Sequence, residues 1–101
     1  MPMTVIVTRD VAQRFRGFLS SVMLEIAPGV YTSPTMTRGV RERVWKVLGD
    51  WFRELGGGGI VMTYRDLDSP GRQAVLNLGD PPRNLVEADG LLLVKRESPS
   101  N

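Results

Sequence analysis

The 101-residue sequence predicts an α+β sandwich in which one antiparallel sheet is backed by two helices. Three observations predict it. Short apolar, β-branched runs of strand length recur along the chain. Between them lie two longer segments whose apolar residues repeat at helical spacing. Pro-Gly and poly-Gly punctuation falls between the runs rather than inside them.

Met3 to Thr8 is a continuous apolar run and reads as a strand buried on both faces. Asp10, with Gln13 three residues on, has the spacing of a helix N-cap and its capping-box partner. From there Val11, Phe15, Leu19, Val22 and Met23 follow helical spacing, so the first helix is expected to run to about Leu24. Glu25 to Ser33 contains Pro28-Gly29 followed by Val30 and Tyr31, a strand bent or interrupted at the Pro-Gly pair. A second helix is predicted over Thr37–Leu55. Its stripe is Val40, Val44, Val47, Leu48, Trp51 and Leu55, with Arg38–Glu42 and Lys46–Asp50 paired at i, i+4 on wetter faces. Gly56 to Gly59 ends it.

Ile60–Tyr64 and Gln73–Leu78, joined by an Arg65–Arg72 loop containing Pro70-Gly71, read as a hairpin. Pro81-Pro82 breaks the chain, Leu91–Val94 makes a last strand, and Glu97–Asn101 reads as a flexible tail after a single domain over 1–96. The order strand, helix, strand, strand, helix is the start of a split βαβ ferredoxin-like domain, closed by a hairpin and one additional C-terminal strand. With Val30, Tyr31, Val61, Tyr64, Val75 and Leu91–Val94 to place, the sheet face away from the helices needs a cover. A second copy of the sheet would supply it, so a homodimer is expected.

Composition excludes several kinds of chemistry. There is no cysteine, hence no disulfide, thiolate metal site or thiol nucleophile, which fits a reducing cytoplasm. There is no histidine, the commonest general base and metal ligand. No basic-then-apolar leader and no apolar run approaching a membrane span is visible, so secretion and membrane spanning are not expected and a cytoplasmic location is. Net charge is +2, but residues 9 to 53 carry eight cations against four carboxylates, whereas residues 54 to 101 carry five against seven. Eleven of the thirteen cations are arginine, whose planar fork suits phosphate, although a GC-rich genome enriches arginine as well.

Within the basic half, Arg14 and Arg16 fall in the first turns of a helix that follows a strand. Unpaired N–H groups and the macrodipole make a helix start receptive to anions, and two arginines beside it point to phosphate, with nucleic acid the first suspect. Other features invite sharper readings that their context removes. Gly56–Gly59 lacks the Gly-Lys-Ser/Thr of a phosphate loop and precedes a strand. Asp66-Leu67-Asp68-Ser69-Pro70-Gly71 resembles the start of a calcium loop, but Asn77 stands where the bidentate glutamate belongs. Trp45, Trp51 and Phe52 lie on a predicted helix where core packing is their usual role, and Tyr64 is too isolated for a base-stacking sheet.

The strand followed by Arg14-x-Arg16-Gly17, then Leu24-Glu25-x-x-x-Gly29-Val30-Tyr31, Val40-Arg41-Glu42 with Trp45, Val61-Met62 and Asp89-Gly90-Leu91-x-Leu93-Val94 resembles the small CRISPR adaptation protein family, Cas-two, of the type I-E subtype. The resemblance spans nearly the whole chain. It implies a ferredoxin-like homodimer that bridges two dimers of the CRISPR integrase, Cas-one, and holds a fragment of double-stranded invader DNA through its phosphates, without reading bases.

Carried over by position, Arg14 and Arg16 match backbone-contacting arginines. Arg83 matches the second of an arginine pair whose first member is Pro82 here. The Leu91, Leu92, Leu93 and Val94 strand matches the segment that docks onto the integrase by sheet addition. The acidic strand-end position, where family members could hold a divalent metal such as magnesium for phosphodiester cleavage, is Arg9 here, with Asp10 one residue later. Asp10 is thus the candidate catalytic and metal-binding residue of a metal-dependent endonuclease, against a capping role at the helix start. A scaffold that needs no cofactor is favoured over that enzyme. A ferredoxin-like regulatory dimer holding a small ligand is a further alternative, though it gives no reason for the arginines. An acyl-phosphate hydrolase would need an arginine loop directly after the first strand.

Overall fold

A computed structural model describes residues 3–79 and 90–94, with the backbone of 85–88. Its elements are β1 (Thr4–Arg9), α1 (Gln13–Val22), β2 (Leu24–Ala27), β3 (Val30–Ser33), α2 (Arg38–Leu55), β4 (Gly59–Arg65), β5 (Gln73–Gly79), β6 (Leu85–Ala88) and β7 (Leu91–Val94). The first five strands form one sheet in the order β2-β3-β1-β4-β5, antiparallel throughout. Each helix therefore connects two strands that are split by a third, which is the ferredoxin-like arrangement with β5 added at one edge.

Pleat parity divides β1. Ile6 lies opposite Tyr31 of β3 and Met62 of β4, and all three are wholly buried. Phe15 and Leu19 of α1 and Val44 and Leu48 of α2 close the same core. Val5 and Val7 take the other face, and Val7 is 41% exposed, so the strand is covered on one face rather than two. The register puts Val30, Val61 and Val75 on the outer face with Val5 and Val7. Tyr31 and Tyr64 belong to the helix side, contrary to the expectation that they line the outer surface. Tyr31 shares a row with Ile6, and Tyr64 shares one with buried Thr4.

Two boundaries differ from the sequence reading and a third resolves its alternative of bend or interruption, each for a physical reason. Asp10 does not cap α1. It has φ 54°, in the left-handed region, and the N-cap is Ala12, which makes no side-chain cap. A Cβ at Gly58 would lie 2.6 Å from the Asp10 carbonyl oxygen and closer still to that of Arg9. The chain turns against this glycine before it enters the helix, so Asp10 precedes the helix by too much to cap it. At the other end α1 stops at Val22, because Leu24 already begins β2. Pro28-Gly29 makes the complete turn of a β2–β3 hairpin rather than a bend, with Gly29 at φ 77°.

The second helix follows its prediction closely. Thr37 caps it, its hydroxyl oxygen accepting from the Val40 N–H at 3.2 Å. Gly56 ends it at φ 60° and returns its N–H to the Phe52 carbonyl. The β4–β5 hairpin also stands as predicted, and its turn is organised by Asp66, whose carboxylate accepts from the Asp68 N–H at 3.1 Å and the Ser69 hydroxyl at 2.7 Å. The last strand is not alone: β7 pairs with β6 in a separate two-stranded sheet. Leu92 of β7 packs against Gly71, where a Cβ would come within 2.5 Å of the Leu92 Cβ. Pro81-Pro82 and the 97–101 tail lie outside the described residues.

Two substitutions check these points. Thr37→Ala removes the α2 cap and is expected to lower unfolding free energy by about 1 kcal/mol in a denaturant titration. Gly58→Ala meets both a left-handed backbone and the Arg9–Asp10 carbonyls, and is expected to cost about 2 kcal/mol or more. A stability change below that of Thr37→Ala would show that the close approach does not constrain the fold.

Candidate nucleic-acid interface

Residues two apart on a helix do not share a face, and α1 separates its arginines accordingly. Arg14 points toward α2. Its guanidinium carbon lies 4.0 Å from the centre of the Trp51 ring, and Nη1 is 3.9 Å from Glu54 Oε2. Arg16 points toward the β2–β3 turn, with Nη2 3.6 Å from Glu25 Oε2. The structure therefore places both cations on the first turns of α1, as expected, but does not join them into one anion pocket. Each stands between α1 and a different neighbour.

Both ion pairs are loose. Their separations exceed hydrogen-bond length, the arginine side chains are 52% and 45% exposed, and exposed pairs of this kind contribute about 0–1 kcal/mol. A phosphate oxygen offers a shorter, charge-assisted contact. The carboxylates thus accompany the arginines without sequestering them.

Glu25 is held more firmly by its own turn. Its Oε2 accepts the Gly29 N–H at 2.9 Å, and this bond, with the nearby Tyr31 hydroxyl and the Arg16 guanidinium, keeps the carboxyl below the usual range. The Tyr31 hydroxyl is buried and completes no hydrogen bond of good geometry among the described residues, yet it lies close enough to favour the charged form of both neighbours. Tyr31 and Glu25 in turn push the Arg16 guanidinium above its ordinary value, so its charge is permanent.

Arg16 also lines a cavity of about 360 Å³ with Thr8, Asp10, Val11, Pro28 and Gly29. Asp10 has no hydrogen bond or ion pair with another described residue there. Among the described residues it is the one carboxylate on that lining, and a guanidinium shares the space. Among the described residues no three Asp or Glu side chains converge on a point. Asp10 thus has no acidic partner for a divalent metal among the described residues, and a lone carboxylate beside a fixed cation is a poor ligand set for a hard dication.

Arg83 lies outside the described residues. Arg41 lies elsewhere, on α2, stacked 3.7 Å over the Tyr64 ring beside Arg38, Glu42 and Asp66. Leu91, Leu93 and Val94 are 61%, 47% and 51% exposed on β7, whereas Leu92 is turned inward toward Gly71. The residue missed from sequence is Trp51. It sits in the apolar stripe of α2, and nothing local to it announces that its ring face meets an arginine from α1.

A family described as CRISPR-associated protein (Cas_Cas2CT1978) matches residues 3–93.

The depressed Glu25 carboxyl has a pH consequence. A carboxyl whose folded-state value lies below its unfolded one, here about 4.5, contributes stability that is complete above that value and is lost as pH falls through the lower, folded value. Thermal unfolding followed from pH 6 to pH 3 should therefore show a falling acid limb that is shallower in Glu25→Gln. Equal acid limbs in the two proteins would remove Glu25 from the account.

Proposed function

From the premise that this chain belongs to the CRISPR-associated protein family of the Cas2 CT1978 kind, we propose that it serves in spacer acquisition of a type I-E system. In this reading it is a homodimer that bridges integrase dimers and holds double-stranded DNA by its backbone. The observation that carries the reading is the pair of half-exposed arginines on the first turns of α1, each accompanied by a carboxylate too distant to hold it. Guanidinium groups at a helix start bind phosphate whatever the base sequence, which suits a protein that stores arbitrary DNA.

Two further features support the assembly. The outer sheet face carries Val5, Val7, Val30, Val61 and Val75 in adjacent rows with no helix over it, a surface suited to a second copy. Among the described residues β6 is the strand laddered to β7, and Leu91, Leu93 and Val94 stand exposed on it, which suits the far edge of β7 to docking. Sheet addition by the integrase would use that edge.

The endonuclease alternative rests on Asp10. Loss of the capping role frees its carboxylate, but the cation beside it and the absence of converging acidic partners among the described residues do not favour a metal. No catalytic step is derived through it.

Duplex binding by the full chain should be indifferent to sequence and should weaken roughly tenfold or more over a fourfold rise in salt, as the release of counterions from two or more phosphates requires. Arg14→Ala/Arg16→Ala should lose most of that affinity and flatten the salt slope by about two for each protomer whose arginine pair engages the duplex. Asp10→Asn tolerates the left-handed backbone and should bind duplex at least as well as the parent. Deleting residues 88–101 should abolish co-elution with the integrase on a sizing column while leaving duplex binding in place. Salt-insensitive binding, or an undiminished complex after the deletion, would sink the respective half of the reading.

A further inference from the structure

We propose that Trp51 is the positioning residue for the Arg14 phosphate contact, and that Glu54 holds the place of the phosphate until a duplex arrives; this rests on the duplex-binding reading above.

The geometry separates the two jobs a guanidinium can do at once. Its face carries the cation–π attraction, and its five N–H donors all lie in the plane and point outward from the rim. The guanidinium carbon of Arg14 lies over the Trp51 ring, 4.0 Å from its centroid, the separation of a stacked pair in which the guanidinium face meets the indole. The stack therefore consumes no hydrogen-bond donor. The rim faces the Glu54 carboxylate at 3.9 Å, beyond hydrogen-bond length, on a side chain that is 69% exposed.

The indole itself is held. Phe15 and Phe18 of α1 meet Trp51 edge-to-face at centroid separations of 5.8 and 5.3 Å, with interplanar angles of 78° and 70°. Two such contacts set the plane of the ring, and the ring sets the plane of the guanidinium. An arginine on an open helix surface would have to order its long side chain on binding; this one is ordered beforehand.

Magnitudes decide which partner stays. An indole stack at an exposed site is worth about two- to fivefold in a binding constant. The pair with Glu54 is weaker, being exposed, screened by salt and long. A backbone phosphate brings a charge and acceptor oxygens at bonding distance, so it displaces Glu54 from the rim and leaves Trp51 on the face. Among the described residues no aromatic ring lies beneath Arg16, which is placed by Tyr31 and Glu25 instead. Of the two α1 arginines it is Arg14 that carries this device.

The test is a set of equilibrium titrations of a labelled duplex of arbitrary sequence against the full chain, with thermal unfolding of every variant. Trp51→Leu should weaken binding about two- to fivefold for each Arg14 contact engaged, and Trp51→Phe should recover most of it. Glu54→Gln should tighten binding about twofold. In the Arg14→Ala background Trp51→Leu should have no further effect on affinity, although it still lowers the melting temperature, because its packing against Phe15 and Phe18 is lost in both backgrounds.

Equal losses from Trp51→Leu with and without Arg14 would assign Trp51 to the fold alone and overturn the proposal. So would an Arg14→Ala protein that binds like its parent while the parent shows its steep salt dependence, a result that leaves the duplex reading standing. A parent chain that fails to bind duplex at any salt overturns both.

Discussion

Backbone meets backbone at the end of β1, and that contact places everything the function would use. The Thr8 N–H and hydroxyl both donate to the Gly29 carbonyl, at 2.7 and 3.1 Å, and a Cβ on Gly29 would lie 2.8 Å from the Thr8 oxygen. On the other side Gly58 closes on the carbonyls of Arg9 and Asp10. Only glycine permits such approaches at φ values near +70°. Two linkers therefore grip the strand end from both sides, and α1 starts from a point that neither helix propensity nor capping chooses.

The same two linkers belong to the elements that meet the arginines. Gly29 is in the β2–β3 turn, and the carboxylate that accepts its N–H is Glu25, the partner of Arg16. Gly58 follows the end of α2, which contributes Trp51 and Glu54 to Arg14. The clamp on the strand and the setting of the cations are one construction. A change at either glycine moves an arginine environment as well as a backbone.

Elements with strong periodicity were legible in the sequence. The 18-residue α2, its Thr37 start and Gly56 stop, and the β4–β5 hairpin follow from apolar spacing and punctuation that packing does not override. The α1 start was not legible, because the Asp10–Gln13 spacing is a local signal and the Gly58 contact that defeats it comes from a residue far along the chain. Nor was the facing of Tyr31. Parity across a sheet depends on register, and a strand read alone does not disclose its partner row. The short β6, with Leu85 and Val86 close after Pro81-Pro82, offers too little apolar sequence to be read as a strand. At the site, the identity and helix position of Arg14 and Arg16 were legible. Their partners were not, since Trp51, Glu54 and Glu25 come from three places that only tertiary packing brings to α1.

The separation of the two arginines bears on what kind of ligand they suit. Lying on different sides of α1, they cannot jointly chelate one phosphate, so a free phosphate or a small phosphorylated metabolite would engage one and leave the other idle. A polymer with phosphates at regular intervals can engage both. A second copy of the chain would repeat the pair at a distance fixed by the interface between copies. The number of contacts then depends on whether the rod is long enough to reach the far pair, and sensitivity to duplex length follows from the spacing of cations without any residue having to recognise an end. Were a phosphate to replace Glu54 beside Arg14, the local charge balance there would change little. The favourable terms left are the shorter bonds and the counterions released from the DNA, neither of which depends on base sequence.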